Sequence, residues 1–181
     1  KDTKNRVEDY LINLRKFYNL ADYLAVNISS PNTENLRSFH NSNELGELLS
    51  EIENEKKLLK SNIPIVVKIS PDIHGNDIEK ISELLLKYNI SSVIISNSTD
   101  SSRENLKNIN KLEKGGLSGK PLEAKSNLLI NKFFKILGNK IKIIGVGGVD
   151  SGKSAYEKII NGANLVQIYT GMVYQGPNIA S

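Results

Sequence analysis

Amides, hydroxyls, a lysine and a set of glycines recur in this sequence where apolar runs end. Tyr23-Leu24-Ala25-Val26 runs into Asn27-Ile28-Ser29-Ser30-Pro31-Asn32-Thr33, and Val93-Ile94-Ile95 into Ser96-Asn97-Ser98-Thr99. Polar groups beside buried strands cost free energy unless they are paired, so such clusters point to a ligand or a tight network. Asn27, Asn32, Asn97 and Ser98 offer donors and acceptors without charge, which suits the edge of a planar ligand. Each alone also suits turn chemistry at a strand end. As a set spread over separate strand ends they ask for more than turns. Lys68 interrupts Ile65-Val66-Val67, and a lysine within a buried strand is rarely structural unless paired. It suits a Schiff-base nucleophile or a fixed cation facing a developing anion; the bland reading is a lysine snorkelling from an edge strand. Ser30 has no histidine or acid close in sequence, so nothing supports a Ser-His-Asp hydrolase.

A second kind of chemistry lies toward the C-terminus. Gly145-Val146-Gly147-Gly148 follows an apolar run and precedes a helix opened by Ser151-Gly152. It is not a dinucleotide fingerprint, because Asp150 stands at the third glycine position. A phosphate cup is the better reading, with glycine N–H groups and the following helix N-terminus facing an anion; a tight turn is the alternative. Tyr169-Thr170-Gly171 ends the next apolar run and adds donors. Asp72 and Asp150 read as turn or cap residues.

The elements that must position these groups follow from periodicity. Helical spacing is expected over 2–19, about 43–60, about 76–88, about 122–137 and 152–161. Strands are expected at 21–29, 63–70, 91–98, 141–147 and 164–170. Residues 99–121 form a long polar, glycine-rich loop of the kind that is usually functional or disordered. Continuous Ile/Val runs mark strands buried on both faces, hence a parallel sheet. Polar chemistry at the C-terminal ends of all the strands is how a (β/α)8 barrel builds an active site, with phosphate bound at its last strands. An open doubly wound sheet is the alternative, but it usually carries its phosphate loop at the first strand.

Composition narrows the function. The 181 residues hold 24% charged and 39% hydrophobic residues, ordinary for a globular domain, and suffice for one core. The net charge of +4 comes from lysines scattered over helix faces, not interleaved with aromatics, which argues against a nucleic-acid surface. There is no cysteine, so disulfides and thiolate chemistry are excluded, and neither His40 nor His74 has metal-ligand spacing; no metal is expected. No apolar run approaches a membrane span and no signal peptide is visible. The sequence starts without methionine and ends just past Gly176-Pro177, so a piece of a longer protein is expected.

Six stretches together resemble the dihydroorotate dehydrogenase family: Asn27–Thr33, Val67-Lys-Ile-Ser-Pro-Asp72, Ser96–Thr99, Gly115-Gly-Leu-Ser-Gly-Lys-Pro-Leu122, Ile144-Gly-Val-Gly-Gly-Val149 and Leu165-Val-Gln-Ile-Tyr-Thr170. They stand in the family's order at compatible spacing across nearly the whole chain. The resemblance implies an FMN-binding (β/α)8 barrel, of which residues 1–181 are one partial domain covering about the last five β/α units. It implies oxidation of dihydroorotate to orotate in pyrimidine biosynthesis. Serine rather than cysteine at position 30 resembles the membrane-associated class that passes electrons to quinone. By resemblance Ser30 is the catalytic base, and Asn27, Asn32, Asn97 and Ser98 hold the pyrimidine. Asn27, Lys68, Ser96, Gly119, Gly147, Gly148, Tyr169 and Thr170 hold FMN, while Thr33 is a further hydrogen-bonding group near flavin or base. Peripheral attachment to an inner membrane is implied, on the cytoplasmic side in a bacterium or in the mitochondrion of a eukaryote. Two departures stand out: Asn35 where the family commonly has glycine, and Asn97-Ser98-Thr99 where it has Asn-Thr-Thr. Two alternatives stay open, a phosphate-binding isomerase or aldolase using Lys68 as nucleophile and a truncated chain without activity.

Overall fold

Alternating helices and strands wind into one parallel sheet in the computed structural model, which describes residues 5–101, 103 and 105–180. The strands are β1 (Leu24–Asn27), β2 (Ile65–Ile69), β3 (Ser92–Ile95), β4 (Lys142–Val146) and β5 (Leu165–Gln167). Their order in space is their order in sequence, with every pair parallel. The crossover helices are α2 (Ser42–Leu58), α3 (Asn76–Lys87), α4 (Glu123–Leu137) and α5 (Gly152–Ile160); α1 (Arg6–Phe17) precedes β1 and a short α6 (Thr170–Gln175) follows β5. This succession is a five-strand sector of a (β/α)8 barrel.

Side-chain alternation along the strands divides the interior. Ile65, Val67, Ile69, Val93, Ile95 and Ile143 face the helices and pack with Leu45, Leu48, Ile81, Leu85, Ile130 and Phe133. Burying each such side chain contributes about 1.5–3 kcal/mol. Val66, Ile94 and Ile144 form a small second cluster on the opposite, inner face. Lys68 lies two residues beyond Val66, so it shares that inner face.

Local sequence explains where the helices start. The Asn5 side chain accepts from the N–H groups of Val7 and Glu8, and Asn41 caps α2. Ser151 and Ser154 cap α5 reciprocally. Residues 2–4 of the first expected helix lie outside the described residues, as do 102 and 104 of the long loop.

The structure corrects three expectations. β3 ends at Ile95, not 98, because beyond it the backbone turns to both neighbours: Ser96 N donates to Val146 O and Asn97 N to Ile69 O. β5 ends at Gln167, not 170: Thr170 opens α6, whose Gly171 packs so tightly on the Val149 carbonyl that a Cβ would collide with it. The loop after β3 is also partly ordered, with a Thr99–Leu117 bridge and short 3-10 turns at Ile109–Leu112 and Lys120–Leu122.

Candidate active site

The C-terminal strand ends surround a cavity of about 350 Å3. That is within the usual range for ligand pockets, roughly 300–1,000 Å3. Lys68 comes from β2, Ser96, Asn97 and Ser98 from the end of β3, Gly147 and Gly148 from β4, Tyr169 and Thr170 from the turn after β5, and Gly119 from the long loop. Every residue expected to hold a cofactor lines this cavity except Asn27. Gly116, Ser118, Leu122, Val146, Val149 and Gln167 also line it and were not singled out. Their signal was present, since Gly116, Ser118 and Leu122 share a motif with Gly119, and Gln167 shares one with Tyr169.

Lys68 enters this space without a partner. No hydrogen bond or ion pair reaches its ammonium among the described residues, and burial pushes its pKa below the usual lysine value. A half-buried unpaired cation at a cavity wall favours an anionic or electron-rich ligand group.

The anion cup differs from its expected form. Asp150, Ser151 and Ser154 occupy the N-terminus of α5 among themselves: Ser154 Oγ accepts from the N–H of Asp150 and Ser151, and Ser151 Oγ accepts from Ser154 N. The Asp150 carboxylate pairs with Lys120 at 3.1 Å, and hydrogen bonds from Lys120 and Ser154 hold its pKa below the ordinary value. A helix end that is self-capped and carries a carboxylate does not welcome an anion. At this end the cavity is lined by Gly119, Gly147, Gly148 and the paired hydroxyls of Ser118 and Thr170, 2.9 Å apart. At Gly148, φ is +77° and a Cβ would strike the backbone of Glu123, so only glycine leaves this surface open.

The uncharged set assembles beside this cavity. Asn27 Oδ1 accepts from Ser29 Oγ at 2.7 Å and from Asn97 Nδ2 at 3.3 Å, and Asn97 Nδ2 also donates to Ser29 Oγ at 2.9 Å. Asn32 Oδ1 accepts from Gly116 N at 3.1 Å. Asn97 and Ser98 line the cavity; Asn27, Ser30 and Asn32 do not, and Asn27 and Asn32 stand one hydrogen bond from residues that do. Ser30 Oγ accepts from Asn32 N at 3.2 Å and from Thr33 Oγ1 at 3.4 Å. Asn35 has φ of +56°, which explains why a glycine suits that position and why asparagine replaces it well.

Asp72 is more than a turn residue. It pairs with Arg37 at 3.2 Å and with Lys125, and accepts from Thr99 Oγ1 at 2.5 Å. Burial would raise its pKa, but hydrogen bonds from Lys125, Thr99 and Asp100 and the Lys125 charge hold it at about 2.

The family model for dihydroorotate dehydrogenase matches residues 1–181. The chain belongs to the dihydroorotate dehydrogenase family. Within the family it is 46% identical over 187 aligned positions to "Dihydroorotate dehydrogenase (quinone)" of Vibrio parahaemolyticus, covering 99% of this chain and 55% of that protein. It is 46% identical over 184 positions to the protein of the same name from Buchnera aphidicola, covering 98% and 55%. A solved family structure, from Eimeria tenella in complex with ferulenol, superposes with a TM-score of 0.95 at 31% identity, covering 99% of this chain and 52% of that one. The ligand-free Eimeria structure gives 0.95 at 32%. The chain thus spans about half the length of the family members it matches.

Proposed function

We propose that this chain carries the cofactor cavity and the proton-abstracting loop of an FMN-dependent, quinone-reducing dihydroorotate dehydrogenase, which converts dihydroorotate to orotate for pyrimidine synthesis. One observation carries the reading: residues from separate strand ends converge on one cavity lined by glycines, hydroxyls and a lysine that has no partner among the described residues, with an amide and hydroxyl cluster beside it. The residues fit FMN. Gly119, Gly147, Gly148, Ser118 and Thr170 would hold its phosphate, while Lys68 and Ser96 would face its ring system, with Tyr169 at the cavity wall. When bound, FMN supplies the hydride acceptor. Ser30 removes the C5 proton of dihydroorotate as the C6 hydrogen leaves with its electron pair, and the C5=C6 double bond of orotate remains. Thr33 Oγ1, 3.4 Å from Ser30 Oγ, donates to it at rest, and by turning its hydroxyl to accept it takes the proton that Ser30 passes on. Asn27, Asn32, Asn97 and Ser98 orient the pyrimidine edge. Lys68 keeps a positive charge where electron density accumulates.

Serine at position 30 and the quinone-dependent relatives support quinone as the final acceptor, with peripheral attachment to an inner membrane. No helix among the described residues is long and apolar enough to cross a membrane. Family membership favours this reading over an isomerase or aldolase that would use Lys68 as a nucleophile. In the full-length barrel, anaerobic dihydroorotate should bleach the flavin absorbance. Ser30→Ala should slow the bleaching by roughly two to four orders of magnitude while FMN stays bound, the range for a lost general base. Bleaching slowed by less than about threefold excludes Ser30 as the base.

A further inference from the structure

Arg37 was not marked by any sequence pattern, yet it touches every loop around the uncharged cluster. It sits on the 3-10 turn Leu36–His40, and its fork points back toward the strand ends. Nε donates to the carbonyl of Ser29, the residue before Ser30, at 3.3 Å. Nη2 donates to the carbonyl of Ser98 at 3.2 Å. Nη1 pairs with Asp100 at 2.6 Å and Asp72 at 3.2 Å. Its own carbonyl is held as well. Ser70 N donates to His40 Nε2 at 3.2 Å, which leaves the ring proton on Nδ1, 2.9 Å from Arg37 O. A single planar group therefore joins the loops after β1, β2 and β3.

We propose that Arg37 is a positioning residue for proton abstraction: its guanidinium holds the loop of Ser30 against the loop of Asn97 and Ser98, so that base and substrate-binding groups keep one geometry. The inference rests on Ser30 acting as the base. It goes further by naming what aligns Ser30. The planar fork matters because its donors leave in fixed directions toward two carbonyls and two carboxylates. A lysine ammonium has the charge but lacks that spread of donors. The Ser29 and Ser98 carbonyls would then lose their common tie, and the two walls of the substrate site could shift independently. Misplacement of reacting groups by about 1 Å can cost on the order of 100-fold in rate.

The test uses the full-length, FMN-loaded barrel with Arg37→Lys and Arg37→Gln. Flavin bleaching is followed with dihydroorotate and with its C5-deuterated form, alongside flavin content and the rate of flavin reoxidation by a soluble quinone. Bleaching should slow by roughly 10- to 100-fold in both variants. The C5 isotope effect should rise above that of the wild type, since proton abstraction becomes more limiting. Flavin content and quinone reoxidation should stay at wild-type values, and added guanidinium should restore part of the rate in Arg37→Gln. If Arg37→Gln fails to fold, Arg37→Lys carries the same comparison. Bleaching within about threefold of wild type in Arg37→Lys overturns the proposal. So does a slowed rate that merely follows flavin loss or leaves the isotope effect unchanged, because Arg37 is then only structural. If dihydroorotate fails to bleach the wild type, the functional reading itself falls and takes this inference with it.

Discussion

A lone lysine decides much at the scale of single residues. Lys68 stands near the C-terminal end of a buried strand, where an unpaired ammonium costs free energy. Burial lowers its pKa, and no carboxylate among the described residues compensates it. That cost makes sense if a ligand gathers negative charge beside it. Replacing Lys68 with Met keeps the length of the side chain and removes the charge. The midpoint potential of bound FMN should then fall by roughly 30 mV or more, equivalent to about 1.4 kcal/mol for a two-electron couple. A redox titration against reference dyes measures this, and an unchanged potential excludes Lys68 as the cation facing the flavin.

Loops between elements are held by partly buried charge, and Asp72 is the centre of that arrangement. Arg37 and Lys125 face it directly, Thr99 and the Asp100 N–H donate to it, and Asp100 shares Arg37. Its folded pKa of about 2 lies below the ordinary 3.8. A depressed carboxylate contributes stability that is complete above pH ~4 and is lost as pH falls toward about 2. After allowance for solvent screening that contribution is roughly 1–2 kcal/mol. Asp72→Asn should therefore destabilise the full-length barrel by about that amount at pH 7. The gap to wild type should narrow from pH ~4 to a small fraction at pH ~2, where the folded wild-type carboxyl is about half protonated. Urea titrations across that range read the difference directly, and a gap undiminished at pH ~2 contradicts the assignment.

At the scale of the whole molecule, the sheet is open. Among the described residues β1 and β5 each pair on one side only, and the inner cluster of Val66, Ile94 and Ile144 is small. Unpaired strand edges invite association with other chains. The cavity that would hold FMN also lacks part of a wall, and cofactor sites normally enclose most of their ligand. Residues 1–181 expressed alone should aggregate, or stay soluble with little bound flavin. Joining them to the remaining strands of a full-length family member should give a yellow, monodisperse protein. Size-exclusion chromatography with flavin absorbance distinguishes these outcomes. A monomeric fragment with one flavin per chain and dihydroorotate-dependent bleaching contradicts the prediction.

Periodicity and strand-end chemistry carried most of the architecture. The Ile/Val runs at Ile65-Val66-Val67 and Ile143-Ile144 read as interior parallel strands, and the cap at Ser151 marks a helix start in local sequence. Lys68, Ser96, Asn97, Ser98, Gly147 and Gly148 were legible for the same reason: a lysine, glycines and polar groups where strands end are costly unless they serve a ligand. Long-range pairing had no such local mark. Arg37 is an ordinary arginine until folding sets it beside carbonyls 8 and 61 residues away. Asp72 reads as a turn residue until Lys125 arrives from another helix. The N-terminus of α5 reads as open to a ligand until folding shows Asp150, Ser151 and Ser154 closing it among themselves. Local sequence sets which segments form strands and helices, since each segment satisfies its own backbone and buries its own face. Which side chains meet across loops depends on the packing of all the elements together, and so appears only in three dimensions.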